Sequence, residues 1–120
     1  MSARGLKPAA SIAARLERVD WAEVARALDD RGWATTPPLL TAAECAELIR
    51  LYPDERRFRS RVDMARFRFG EGEYKYFANP LPPIVRELRR HVYSSLAPIA
   101  SAWEKTLGSE RRYPPELDDF

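Results

Sequence analysis

The densest group of chemically capable side chains runs from Arg56 to Phe77, RRFRSRVDMARFRFGEGEYKYF. It interleaves Arg56, Arg57, Arg59, Arg61, Arg66 and Arg68 with Phe58, Phe67 and Phe69. Guanidiniums that reach phosphates, set beside rings that stack on bases, are what single-strand nucleic-acid binding uses. The same alternation also fits a half-buried strand with arginines outward and rings inward. In that reading Asp54, Glu55, Asp63, Glu71 and Glu73 pair with the basic groups. Tyr74 and Tyr76, two residues apart, share one side of a strand. They present two hydroxyls to a ligand or cover the edge of a core with their rings. Arg61, Arg66, Arg68, Tyr74 and Tyr76 are therefore the candidate contacts to a substrate or nucleic acid.

Other chemistries have little to work with. His91 is the single histidine. It follows Arg89 and Arg90 on a helical stretch, between Leu88 and Val92, and reads as a helix-surface residue. Any Ser-His-Asp arrangement has to use it, and no glycine-flanked serine elbow accompanies it. Zinc finds only Cys45 and His91 as soft ligands. Gly70-Glu71-Gly72 lacks the lysine and the strand-to-helix setting of a phosphate loop and reads as a turn. No catalytic, cofactor-binding or metal-binding residue is assigned.

The composition bounds the rest. In 120 residues, 45% hydrophobic and 32% charged, the balance is that of a folded chain and not of a disordered tail. A domain of this length buries a little over about 60% of its unfolded surface, enough for one modest core. Twenty basic against 18 acidic residues leave a formal charge of +2, so any attraction for nucleic acid rests on local clusters. Seventeen arginines against three lysines (Lys7, Lys75, Lys105), with frequent alanine, point to a GC-rich bacterial genome. A lone cysteine forms no intrachain disulfide, so a reducing cytoplasm is the simplest compartment. Cys45 lines up with Leu48, Ile49 and Tyr52 and is expected to pack in the interior. There is no signal-peptide core and no run of about 20 apolar residues, so no membrane partner is expected.

The elements that position these residues follow from caps and periodicity. Residues 1 to 8 read as a leader and Ala9 to Val19 as a weak first helix. Asp20 with Glu23 is a capping spacing, and Trp21, Val24, Ala25 and Leu28 give a second helix that stops at Gly32. Trp33 to Thr36 is expected to be a short strand ended by Pro37-Pro38. Thr41 with Glu44 caps a third helix carrying Cys45, Leu48, Ile49 and Tyr52, and Pro53 stops it. From Phe58 to Phe77 the period of two around Gly70 and Gly72 gives two short strands or extended arms and a turn, with Phe67 and Phe69 alternating against arginines. Ile84, Val85, Leu88, Val92, Leu96, Ile99, Trp103 and Leu107 mark a long helix from about Pro83 to Leu107. Pro98 is expected to kink it near Ser94-Ser95 or divide it into two helices in series. Tyr113-Pro114-Pro115-Glu116-Leu117-Asp118-Asp119-Phe120 resembles the opening turn of a further helix.

The segment VDMARFRFGEGEYKYFANPLP, Val62 to Pro82, resembles the pre-barrel region of a bacterial family of 2-oxoglutarate- and Fe(II)-dependent oxygenases described as acting oxidatively on damaged, alkylated DNA. The preceding DWAEVARALDDRGWATTPPLLTAAECAELIRLYPDERRFRS, Asp20 to Ser60, and the long helix are similar to that region too. The resemblance implies an α+β, mainly helical fold of three to five helices with two or three short strands, preceding a double-stranded β-helix barrel. Residues 1–19 are then a leader with a weak helix and 20–120 the pre-barrel region, with Asp63 to Tyr76 lying against the barrel mouth. In that family two histidines and a carboxylate hold the iron, with an H-x-D pair on the barrel, and a basic residue further on holds 2-oxoglutarate. This chain has no H-x-D and no second histidine. Fe(II) and 2-oxoglutarate thus belong to the full-length family. The chain is expected to be an N-terminal fragment cut before the barrel, cytoplasmic and inactive alone, with damaged DNA as the implied partner. Two other readings stay open: a free-standing Arg/aromatic nucleic-acid-binding module, and a protein-interaction piece that self-associates through uncovered apolar surface.

Overall fold

The computed structural model describes residues 10–120, so the leader and Ala9 lie outside the described residues. The described residues form four α-helices and one two-stranded antiparallel sheet, in the order α1, α2, α3, β1, β2, α4, with short 3-10 turns between and after them. The expected α+β, mainly helical class is what the chain adopts. It divides into two compact units.

The first unit takes the described residues up to Leu39 together with Ile84–Phe120. Helix α1 spans Ile12–Glu17 and is capped by Ser11, whose hydroxyl accepts from the Ala14 amide at 3.1 Å. Helix α2 spans Trp21–Arg31. The Asp20 carboxylate accepts from the Glu23 amide at 3.0 Å, satisfying one of the four amides a helix start leaves unpaired. Gly32, with φ of 80°, closes α2 by donating to the Leu28 carbonyl at 2.9 Å. Among the described residues the buried hydrophobic side chains, Ile12, Leu16, Val19, Val24, Ala27 and Ala97, all belong to this unit. Helix α1 supplies two of them, Ile12 and Leu16, and Val19 follows just after it. Its Arg15 guanidinium donates to the carbonyls of Ala10 and Leu39 at 2.7 and 2.8 Å.

Helix α4 spans Pro83–Thr106 without division, with Pro98 inside it. This corrects the expectation of two helices in series. Pro98 removes only the bond to the Ser94 carbonyl, and the amides on either side keep the ladder going. The indole of Trp103 donates to Asp29 at 2.8 Å, tying α4 to α2. After Gly108 the chain folds back along α4. Tyr93 donates to the Pro114 carbonyl, Tyr113 donates to Glu104, and the Tyr113 amide donates to Ser101, each at 2.8 Å. The expected opening turn is a 3-10 turn at Leu117–Asp119.

Residues Trp33 to Thr36 form no strand. A strand needs a ladder, and the only ladder among the described residues joins β1 to β2. The Arg31 guanidinium instead sits 4.3 Å from the Trp33 ring centre, a cation–π contact that fixes the indole without burying it.

The second unit is Leu40–Pro83. Helix α3, Ala42–Leu51, opens with a complete capping box in which the Thr41 hydroxyl accepts from the Glu44 amide and the Glu44 carboxylate accepts from the Thr41 amide. Strand β1 is Phe58–Asp63 and β2 is Glu73–Phe77. They pair as Asp63 with Glu73, Val62 with Tyr74, Arg61 with Lys75 and Ser60 with Tyr76, then shift register so that Phe58 meets Phe77. Arg59 is the bulged residue. Cys45 is exposed on α3, not interior, and Ile49 beside it is 72% exposed. A two-stranded ribbon is too narrow to cover a whole helix face, so only the Tyr52 end of the apolar stripe meets rings from the strands.

Candidate nucleic-acid interface

Alternation along β2 sends neighbouring side chains to opposite faces of the ribbon. Lys75, Glu73 and Phe77 face the α3 side. The Phe58 and Phe77 rings stack there at 4.9 Å, and Tyr52 meets Phe58 edge-on at 5.8 Å. Lys75 is the pin of this side. Its side chain is 5% exposed. Its ammonium lies 4.2 Å from the Tyr52 ring centre and 5.1 Å from that of Phe58. It also donates to the Tyr52 carbonyl at 2.8 Å and to Glu55 at 3.3 Å. Each donor hydrogen therefore finds an acceptor or a ring, as a lysine withdrawn from water requires.

Arg61 belongs to the same side. It donates to one oxygen of Glu73 at 2.7 Å while the Tyr52 hydroxyl donates to the other at 2.8 Å. Those two bonds, that from Tyr52 first, hold the Glu73 carboxyl below its ordinary pKa. Partial burial and then the bond to Glu73 push the Tyr52 hydroxyl up. Arg61 is thus a tie within the unit. It does not stand with the tyrosines.

Tyr74 and Tyr76 do stand together, on the outer face. Their rings meet edge to face at 5.6 Å. Burial, followed by the neighbouring Tyr76, raises the Tyr74 hydroxyl pKa. The bulge turns Arg59 to this face, its guanidinium 5.2 Å from the Tyr76 ring centre. Sequence reading left Arg59 out of the site because a bulge reverses the side that simple alternation assigns.

The remaining candidates, Arg66 and Arg68, lie at the tip, where the expected strand alternation fails. Met64–Phe67 is a 3-10 turn capped by Asp63, and Arg68 follows with φ of 62°. Phe67 and Phe69 are consequently 53% and 71% exposed rather than turned inward. Gly70 and Gly72, with φ of 101° and 122°, carry the chain back into β2, a route that side chains on those residues would resist. A concavity of about 340 Å³ lies between Asp54, Arg56, Arg57, Ala78, Asn79 and Pro80. Both its arginines turn to Asp54, at 3.1 and 3.6 Å, which neutralises much of its charge.

An iron centre does not fit the donors present. Among the described residues no three of His, Cys, Asp and Glu converge on a point. His91 is occupied one turn along α4 by Glu87, at 3.3 Å. The facial arrangement of two histidines and a carboxylate has no basis in this set.

Residues 72–120 match the model of a family described as an oxygenase catalysing oxidative methylation of damaged DNA. The oxygenase likeness covers β2 with Tyr74 and Tyr76, the whole of α4 and the C-terminal segment that folds back along it. It begins after the tip residues Arg66 to Phe69. No curated protein and no solved structure matches the chain. No helix of the described residues is long and apolar enough to cross a membrane.

Proposed function

We propose that this chain is the metal-free, N-terminal portion of a bacterial cytoplasmic oxygenase that uses Fe(II) and 2-oxoglutarate to hydroxylate or dealkylate damaged DNA. The observation that carries the proposal is the oxygenase-family match over residues 72–120. It stands on a chain whose own donors do not fit iron, so in this reading the iron ligands and the 2-oxoglutarate site come from barrel residues outside the 120 of this chain. The role of the chain is then to build a wall of the substrate side, with the ribbon that carries Tyr74 and Tyr76 against the barrel mouth.

The coding DNA beyond codon 120 tests this directly. An H-x-D pair followed by a further histidine is expected in one of the three frames. Their absence from every frame removes the proposal.

A second reading, a nucleic-acid-binding module in its own right, is favoured by one observation. The exposed rings at the ribbon tip are flanked by arginines that the unit's carboxylates leave alone. Binding of oligonucleotide by the chain without any barrel is its expected outcome, and retention of binding only in the presence of a barrel is the outcome against it.

A further inference from the structure

Two large rings stand in water at the tip of the ribbon. Phe67 and Phe69 lie side by side, centroids 6.5 Å apart and planes 27° from parallel. Both follow from the break in the strand: Met64–Phe67 is a 3-10 turn, Arg68 takes a left-handed conformation, and the two rings are left exposed.

The tip is held by backbone hydrogen bonds and by the Asp63 cap. The Met64 amide donates to the Gly72 carbonyl at 2.9 Å, the Phe69 amide to the Met64 carbonyl at 3.0 Å, and the Arg68 amide to the Ala65 carbonyl at 3.2 Å. The Asp63 carboxylate accepts from the Ala65 amide at 3.1 Å. The exposed rings and the two guanidiniums are therefore presented on a preformed loop, which lowers the ordering cost of any ligand that takes them.

The charge is as specific as the rings. Asp54, Glu55 and Glu73 pair with Arg56, Arg57, Lys75 and Arg61. Among the described residues no carboxylate pairs with Arg66 or Arg68. Arg68 also occupies a positive φ that glycine adopts without strain, and strain of this kind concentrates at functional loops. A purely apolar partner would cover the rings but would also desolvate two unpaired guanidiniums, which is costly. A chain of anionic phosphates bearing flat bases satisfies both sets of groups at once.

We propose that the ribbon tip is a binding site for a single-stranded polynucleotide, with unpaired bases stacking on Phe67 and Phe69 and the phosphates meeting Arg66 and Arg68. The site shares with the oxygenase reading only the class of polymer. It rests on tip residues outside the family match, and its test uses no iron, so either proposal fails without the other.

The test is fluorescence anisotropy of the whole chain with a labelled oligothymidylate of about a dozen nucleotides, from about 0.05 to 0.2 M salt, a range over which phosphate contacts are strongly screened. The wild type is expected to bind with a log–log salt slope of about −1.4 or steeper, two single-strand phosphate contacts at about 0.7 each. The pair Phe67→Ala and Phe69→Ala lowers affinity roughly tenfold or more with the slope unchanged, because stacking releases no counterions. The pair Arg66→Ala and Arg68→Ala flattens the slope by about 1.4. The conservative pairs Phe67→Tyr with Phe69→Tyr, and Arg66→Lys with Arg68→Lys, keep binding and slope respectively. A blunt duplex of equal length competes at least tenfold less well, since its bases are already stacked. No binding at the lowest salt overturns the proposal. So does either alanine pair binding like wild type, or a conservative pair losing as much as its alanine counterpart.

Discussion

Arg68 holds φ of 62° at a point where its side chain has no partner among the described residues, so its conformation and its chemistry pull apart. A left-handed residue with a Cβ costs about 1 kcal/mol relative to glycine. Arg68→Gly is therefore expected to leave the melting temperature unchanged or raise it slightly, while flattening the salt slope for oligothymidylate by about 0.7. Thermal melts and the anisotropy titration read the two halves separately. Glu73 gives a pH-dependent counterpart on the α3 side of the ribbon. Its carboxyl lies below the ordinary value of 4.5 because Tyr52 and Arg61 bond to it. The stabilisation is thus complete above that value and is lost as pH falls through the depressed one. Tyr52, pushed above its ordinary 10.0, keeps its bond to Glu73 until the pH rises through its own raised value. Amide exchange of β2 is expected to accelerate at both extremes and to lose its acid limb in Glu73→Gln; an unchanged acid limb in that variant contradicts the role given to Glu73. At this scale the sequence identified residue types well, naming Tyr74 and Tyr76 as a pair. Which face Arg61 takes was not legible, because the face of a strand residue depends on pairing register and on the bulge at Arg59, which no local pattern announces.

Elements were legible where their signals are local. The caps at Asp20 and Thr41 and the stop at Gly32 stand where the residue types put them, since a cap needs only residues within one turn. Trp33 to Thr36 failed as a strand because a strand depends on a neighbour elsewhere in the chain. Phe67 and Phe69 failed because Asp63 could cap a turn as readily as continue β1. Pro98 failed to divide α4 because twenty-odd helical residues outweigh one missing bond. That last contest is measurable. Pro98 is exposed, so Pro98→Ala restores the amide to the Ser94 carbonyl without disturbing packing. It is expected to stabilise the chain by about 1 to 3 kcal/mol, read from denaturant midpoints. In the ribbon, Lys75→Ala removes the pin between Tyr52, Phe58 and Glu55. A loss of about 2 kcal/mol is expected, seen as faster exchange of β1 and β2 amides with α1 and α2 unaffected; equal protection in the variant would show that the rings alone hold the ribbon.

The molecule joins an oxygenase-family likeness over residues 72–120 to a single histidine and, among the described residues, no convergent group of His, Cys, Asp and Glu. The sequence resemblance had already placed the family and the shortage of histidine side by side. Arg66 and Arg68 were legible as candidate contacts beside Phe67 and Phe69, but that both rings stand exposed is a property of the folded turn. The claim that the chain contributes the substrate side and not the metal is tested most directly by anaerobic titration of Fe(II) into the purified 120-residue chain with saturating 2-oxoglutarate, followed by calorimetry and by the metal retained after gel filtration. The expected result is no saturable heat and no retained iron, identical for wild type and His91→Ala. One iron retained per chain, abolished by His91→Ala, would contradict it.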